Sequence, residues 1–198
     1  MEQEKLIDQL QKRCIQFCGR DLNPEDCQKI LSISQIRIYT KGEMIHGIQQ
    51  PLKYTGLILQ GIVRSFYLDA EGNDITKSFS VEGSLVREEG LFGYEQSFTA
   101  LEALEDSALM LMETDKLKKL IKEYDTFKDL YISCLEYALR YKIHRESEFL
   151  SKNATERYLQ FCKDYPNLKN RVKQSYLSTY LGIAPESLSR IRKTLKEI

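Results

Sequence analysis

Between Ile36 and Met112 no hydrophobic pattern persists for more than a few residues. Short runs rich in β-branched and aromatic residues ("IRIYT", "TGLIL", "GIVRSFYL", "DITKSFS", "TALEAL", "ALMLM") alternate with separators such as "KGE", "DAEGN" and "VEGS". The runs suit pleated strands, and the glycines and acidic residues suit tight reversals. "GIVRSFYLDAEGNDITKSFS" reads as a hairpin turning at Asp69–Asp74. Strands this short and this evenly spaced predict an antiparallel roll or barrel rather than a βαβ sheet.

Helical spacing flanks this region on both sides. Leu6, Ile7, Leu10, Cys14, Phe17 and Cys18 predict an amphipathic helix over 4–18, and "LNPEDCQKIL" predicts a second, with Asn23 as N-cap and Pro24 at the first position. From Thr126 to Leu150 no Gly or Pro interrupts the chain. A helix of that length spans about 37 Å. Phe127, Tyr131, Cys134, Ala138, Tyr141, Arg145 and Glu148 fall on a 4-3-4-3 seam, read here as a coiled-coil-like dimerisation surface. After a polar break at Ser151–Asn153, "ATERYLQFCKDY" predicts a short helix ending at Pro166.

Charge divides the chain. Residues 1–150 carry 19 Lys and Arg against 25 Asp and Glu, whereas 151–198 carry 10 against 4. The basic segment is the candidate for binding a polyanion. No stretch approaches the ~20 apolar residues needed to span a bilayer, and "MEQEKLIDQLQKR" lacks the apolar core of a secretion signal. The expected location is the cytoplasm, with no membrane partner.

Within the basic segment, "YLSTYLGIAPESLSRIRKTL" holds two short helical patterns joined by a corner. Gly182 supplies a left-handed residue to end the first helix, and Pro185 opens the second. Leu177, Leu181, Ile183, Leu188, Ile191 and Leu195 close into one small core, which is the geometry of a helix-turn-helix. Glu186, Ser189, Arg190 and Lys193 then face outward at i, i+3, i+4 and i+7. Arg190 suits guanine O6 and N7, Glu186 suits cytosine N4, and Ser189 suits a base edge or phosphate. Arg171, Lys173, Arg192 and Lys193 suit phosphates.

This stretch resembles the C-terminal helix-turn-helix of the Crp/Fnr superfamily of bacterial transcription regulators, with Glu186, Ser189 and Arg190 on its E-x-x-S-R pattern. "YTKGEMI", "LILQGIVRSF", "DAEGNDIT" and "ALEDSALML" resemble its cyclic-nucleotide-binding-like domain, in the same order. The resemblance covers the chain from about Pro24. It implies an α+β protein: a β-roll effector domain (a cyclic-nucleotide-binding-like jelly roll) with N-terminal helices over 1–114, a linker and dimerisation helix over 115–150, and a DNA-binding domain over 151–198. It further implies a homodimer, joined through helix 126–150, that reads an inverted repeat in double-stranded DNA and contacts RNA polymerase. The sequence shows no Gly-rich phosphate loop, nucleophile elbow or paired catalytic carboxylate motif, so no enzymatic activity is expected.

The sensor region departs from that pattern. Nucleotide-sensing relatives carry G-[DE]-x-x-G-E-x-x-L-F followed by an Arg-Ser/Thr pair. In "GSLVREEGLFGYEQSFT" Gly83, Glu88, Leu91 and Phe92 match, but Arg87 replaces the second glycine and no arginine accompanies Ser97 or Thr99. A cyclic phosphate would lack its bidentate guanidinium partner, so cAMP is not the expected effector. Gly83, Arg87, Glu88, Ser97 and Thr99 are the candidate effector-pocket residues; Arg87 either substitutes for the missing arginine from another direction or is a surface arginine in a pocket that no longer binds cAMP. The spacing of Cys14, Cys18 and Cys27, with Cys134 distant, does not match the iron–sulfur sensors, and His46 and His144 stand apart. No cofactor or metal is expected. The alternatives are a ligand-sensing module whose helix pair is structural, or an iron–sulfur redox sensor. The chain stops soon after the second helix, so the β-wing that follows it in many relatives is not expected.

Overall fold

The computed structural model describes residues 7–8, 10–12, 19 and 21–196. The helix expected over 4–18 lies mostly outside these residues, as do Cys14 and Cys18. The first complete helix, α1 (Pro24–Ser32), begins as the sequence predicts: the Asn23 side chain accepts from the Asp26 amide at 2.8 Å.

Eight strands follow: β1 (Ser34–Tyr39), β2 (Met44–His46), β3 (Tyr54–Gln60), β4 (Val63–Leu68), β5 (Asp74–Ser80), β6 (Leu85–Val86), β7 (Ala100–Ala103) and β8 (Ser107–Glu113). They form two antiparallel four-stranded sheets, ordered β1-β8-β3-β6 and β2-β7-β4-β5. The six strands read from the sequence are present. β2 and β6, only three and two residues long, were not legible as strands. The hairpin turns at Asp69–Asp74, where Asp69 Oδ1 accepts from the Glu71 and Asn73 amides. At the β3–β4 reversal Gly61 has φ 100°, and a Cβ there would lie 2.8 Å from Ser107 Cα, so only glycine fits.

Strand β8 shows why "ALMLM" is apolar throughout. Leu109 and Leu111 fill the space between the sheets with Ile58, Val63, Val86 and Leu101. Met110 and Met112 face the other way, onto Cys27, Ile30, Leu117, Phe127 and Leu130 of the helices that cover this sheet. Burial on both faces removes the usual alternation.

Helices α2 (Thr114–Glu123) and α3 (Asp125–Ser151) lead out of the roll, followed by α4 (Ala154–Asp164), α5 (Gln174–Leu181) and α6 (Pro185–Lys196). The polar break is a capping box in which the Asn153 side chain and Glu156 each bond the other's backbone amide. The C-terminal helices share their core with the roll. Ile62, Phe79 and Leu104 from the roll pack with Tyr158, Phe161, Leu168, Leu177, Tyr180, Leu181 and Leu188.

Helix α3 corrects the seam expected from the sequence. Phe127 and Glu148 are buried, Tyr131, Cys134, Ala138 and Tyr141 face a cavity against the roll, and Arg145 stacks on Tyr180. That face packs within the protomer. At 100° per residue, the opposite side carries Ile132, Leu139, Ile143 and Leu150, which are 45, 58, 57 and 81% exposed. The sequence misleads here because tyrosines and an arginine filling an internal joint have the same spacing as a coiled-coil seam.

Candidate nucleic-acid interface and effector cavity

The α5–α6 corner is built as its residues dictate. Gly182 caps α5 with φ 65°, its amide reaching the Thr179 carbonyl. A Cβ on Gly182 would also lie 2.7 Å from the Phe149 ring. Leu177, Leu181 and Leu188 are fully buried, with Ile183, Ile191 and Leu195 packed against them. That leaves Glu186, Ser189, Arg190 and Lys193 together on the exposed side of α6. The Gln174 amide, at the start of α5, donates to Ser189 Oγ and to the Pro185 carbonyl, fixing the N-terminal end of α6. Nothing in the sequence pattern singled out Gln174.

The remaining basic residues divide. Lys173 is exposed at the α5 N-terminus, its Nζ 3.2 Å from the Tyr176 hydroxyl. Arg171 makes a two-point contact with Glu105 of the roll. Arg192 turns inward, donating to the Lys169 carbonyl at 3.2 Å and lying over the Tyr158 ring. In the free chain this side chain braces α6 against the protein, at a position where the sequence pattern suits a phosphate contact. Helical rotation places Arg192 beside the buried stripe rather than opposite it.

Helix α5 is docked on β5 through polar as well as apolar groups. Thr179 Oγ1 meets Thr76 Oγ1 at 2.9 Å, and the Thr76 amide donates to the same Thr179 hydroxyl. Arg64, 0% exposed, pairs with Asp74 and Glu102, donates to Thr76 and lies 3.6 Å from the Tyr176 ring centroid. From α3, Arg145 donates to the Tyr180 carbonyl at 2.8 Å, and Arg157 of α4 reaches the carbonyls of Leu181 and Lys152.

The cassette residues go to two different places. Gly83 and Glu88 line a cavity of about 170 Å³ between β5, the Glu88–Phe92 turn and α3. Burial, then the neighbouring Glu89 charge, pushes the Glu88 carboxyl up. Burial works against the Lys77 ammonium, but Glu89, 3.1 Å away, and Glu88 raise it overall. Arg87, Ser97 and Thr99 are not part of this cavity. Ser97 and Thr99 tie their own loop together, Ser97 Oγ donating to the Thr99 carbonyl and accepting from its amide. Arg87 is not a surface residue: at φ 60° its backbone turns the side chain inward, 6% exposed, with Nη1 3.4 Å from His46 Nδ1. Burial and the Arg87 charge hold His46 below its ordinary pKa.

One group of potential metal ligands occurs among the described residues: His144, Glu148 and Asp164, with ligand atoms within 4.8 Å of one another. The Lys152 ammonium already sits 3.0 Å from Glu148 Oε1 and bridges to Gln160, which in turn donates to Asp164. Cys27 is buried, with its thiol pushed up by burial, and Cys134 faces the α3 cavity. Among the described residues no helix is long and apolar enough to cross a membrane.

Comparison with known proteins places this architecture. Residues 36–124 match the cyclic nucleotide-binding domain family. No curated protein matches the sequence. Among solved structures, FixK2 from Bradyrhizobium japonicum superposes with a TM-score of 0.74 at 22% identity, over 83% of this chain and 85% of its own. The c-di-GMP responsive global regulator CLP of Xanthomonas campestris gives 0.72 at 16%, over 88% and 92%. TTHA1359, a CRP/FNR-family transcriptional regulator from Thermus thermophilus, gives 0.67 at 19%, over 82% and 86%. The α+β architecture expected from the sequence, a jelly roll followed by a long helix and a helix-turn-helix, is thus the observed one: residues 36–124 match the cyclic nucleotide-binding domain family, and the chain shares its fold with solved structures that include a CRP/FNR-family transcriptional regulator.

Proposed function

We propose that this chain is a homodimeric, sequence-specific DNA-binding regulator of transcription whose roll is not a cAMP sensor. The observation that carries the reading is the open stripe Glu186, Ser189, Arg190 and Lys193 on the second helix of a glycine-cornered pair, within a segment of net charge +6. In a helix-turn-helix the N-terminal part of the second helix enters the major groove, where Arg190 suits guanine and Glu186 suits cytosine. Lys193 and Lys173 lie where phosphates would flank it. The exposed stripe Ile132, Leu139, Ile143 and Leu150 on α3 supports dimerisation, which brings two reading helices to an inverted repeat about one turn, ~34 Å, apart.

Selection from genomic fragments, followed by fluorescence anisotropy on the recovered site, tests this. Arg190→Ala should cost ~1–3 kcal/mol and relax specificity at one base pair of each half-site. Absence of binding even at low salt, or unchanged specificity in Arg190→Ala, overturns the assignment. The docking of α5 on β5 favours a second reading, a sensing module whose helix pair is structural. That reading predicts no DNA binding and a roll destabilised by loss of the pair.

A further inference from the structure

We propose that the cavity behind α3 binds a small, uncharged aromatic molecule of a single ring bearing one polar group, and that such a ligand acts on the reading helices through Tyr165. The inference rests on the regulator reading and names the ligand class that this cavity takes.

Size comes first. A cavity near 150 Å³ holds benzene, so about 170 Å³ gives room for one ring with a small substituent. Chemistry narrows the class further. Phe79, Leu91, Cys134 and Ala138 give the cavity apolar walls. Tyr131, Tyr137 and Tyr165 present neutral phenols, and burial pushes each further above its ordinary range. Of the two lysines on the lining, Lys77 is paired with Glu89, and the charge of Lys142 acts on the Glu88 carboxyl. An anion entering here would meet Glu88, find both lysines already facing carboxylates, and find no arginine on the lining. A neutral ring stacks on the tyrosines and shares its polar group with a phenol or with the Glu88 carboxyl.

Tyr165 gives the cavity its connection. Its ring lies at the cavity edge, packs on Phe161 with centroids 5.3 Å apart, and its hydroxyl interacts electrostatically with that of Tyr180. Tyr180 belongs to α5, and its hydroxyl also faces Tyr141 of α3 at 3.4 Å. A ligand in the cavity therefore touches the roll, α3 and the segment that leads into α5 at once.

The full-length chain is titrated calorimetrically with p-cresol, with benzoate and cAMP as charged comparisons. The chain has 12 tyrosines and no tryptophan, so tyrosine emission gives an independent reading. One-to-one p-cresol binding in the sub-millimolar range, with benzoate at least tenfold weaker, is expected. Ala138→Leu, which fills the cavity, should weaken p-cresol about 10–100-fold. Tyr180→Phe should leave p-cresol affinity within about twofold but abolish its effect on DNA affinity. No p-cresol binding, equal binding in Ala138→Leu, or preference for cAMP overturns the inference while leaving DNA binding by the chain intact. Loss of DNA binding in the wild type with p-cresol still bound overturns the regulator reading instead.

Discussion

Leu139→Ala separates the two faces of α3. Leu139 is 58% exposed in the single chain, and it lies on the stripe with Ile132, Ile143 and Leu150. Truncation to Ala removes about three carbons, each worth ~0.8 kcal/mol on full burial, so covering the exposed fraction is worth ~1.4 kcal/mol per protomer. A two-fold interface counts the change twice, giving ~2.8 kcal/mol, or a dimer dissociation constant about 100-fold weaker. Sedimentation equilibrium over a wide concentration range measures that constant, and thermal melting by circular dichroism reports the fold of the monomer. The comparison is Phe127→Ala on the opposite face, 3% exposed, which should cost ~3–5 kcal/mol of folding stability. If Leu139→Ala leaves the dimer constant within about twofold, the ordinary scatter of surface substitutions, the stripe is not the interface.

Gly182→Ala forces a side chain into the left-handed region and against Phe149, and should destabilise the helix pair by ~1–3 kcal/mol in chemical denaturation. Lys193→Ala should lower DNA affinity uniformly across sequences and flatten its salt dependence by about one unit of slope; Arg192→Ala should leave the slope unchanged and lower the melting temperature instead. His46 is held below its usual 6.5 by burial and by Arg87, so the unfolded chain takes up its proton first as pH falls. Its contribution is complete above about pH 7 and is lost as pH drops through 6.5 toward the folded value. Melting curves between about pH 5 and 7.5 should therefore fall less steeply for His46→Gln than for wild type.

Much of this was legible from local chemistry. The strands from Ile36 to Met112, the Asn23 cap, the Gly182 corner and the outward set on α6 each follow from a short-range rule that tertiary packing did not override. What failed depended on distant partners. A 4-3-4-3 spacing on α3 fixes which residues share a face, but the identity of the covering surface comes from β5 and α5, far away in sequence. The sequence does not decide between a surface and a pocket position for Arg87; its positive φ turns it into the roll. Arg64 gave no signal at all. As one charged residue in an apolar strand it gains meaning only through Asp74, Glu102 and Tyr176, which lie 10 to 112 positions away.

These joints bear on how the proposed regulator switches. Releasing α5 from the roll would uncover Leu177, Tyr180 and Phe161, all under 5% exposed, together with the Arg64 cluster. Each such side chain represents ~1.5–3 kcal/mol of burial, so undocking exceeds the ~1–3 kcal/mol typical of coupling between sites. A change in how two α3 helices cross disturbs none of that core. Only the exposed stripe of Ile132, Leu139, Ile143 and Leu150 need repack, and the reading helices, fixed to α3 through Arg145 and Tyr180, move with it. The cavity lies directly behind this helix, on the face opposite the stripe. A ligand of one ring wedged between β5 and α3 does not touch the stripe, but it bears on the helix that carries both faces, and so on the arrangement whose change is energetically within its reach.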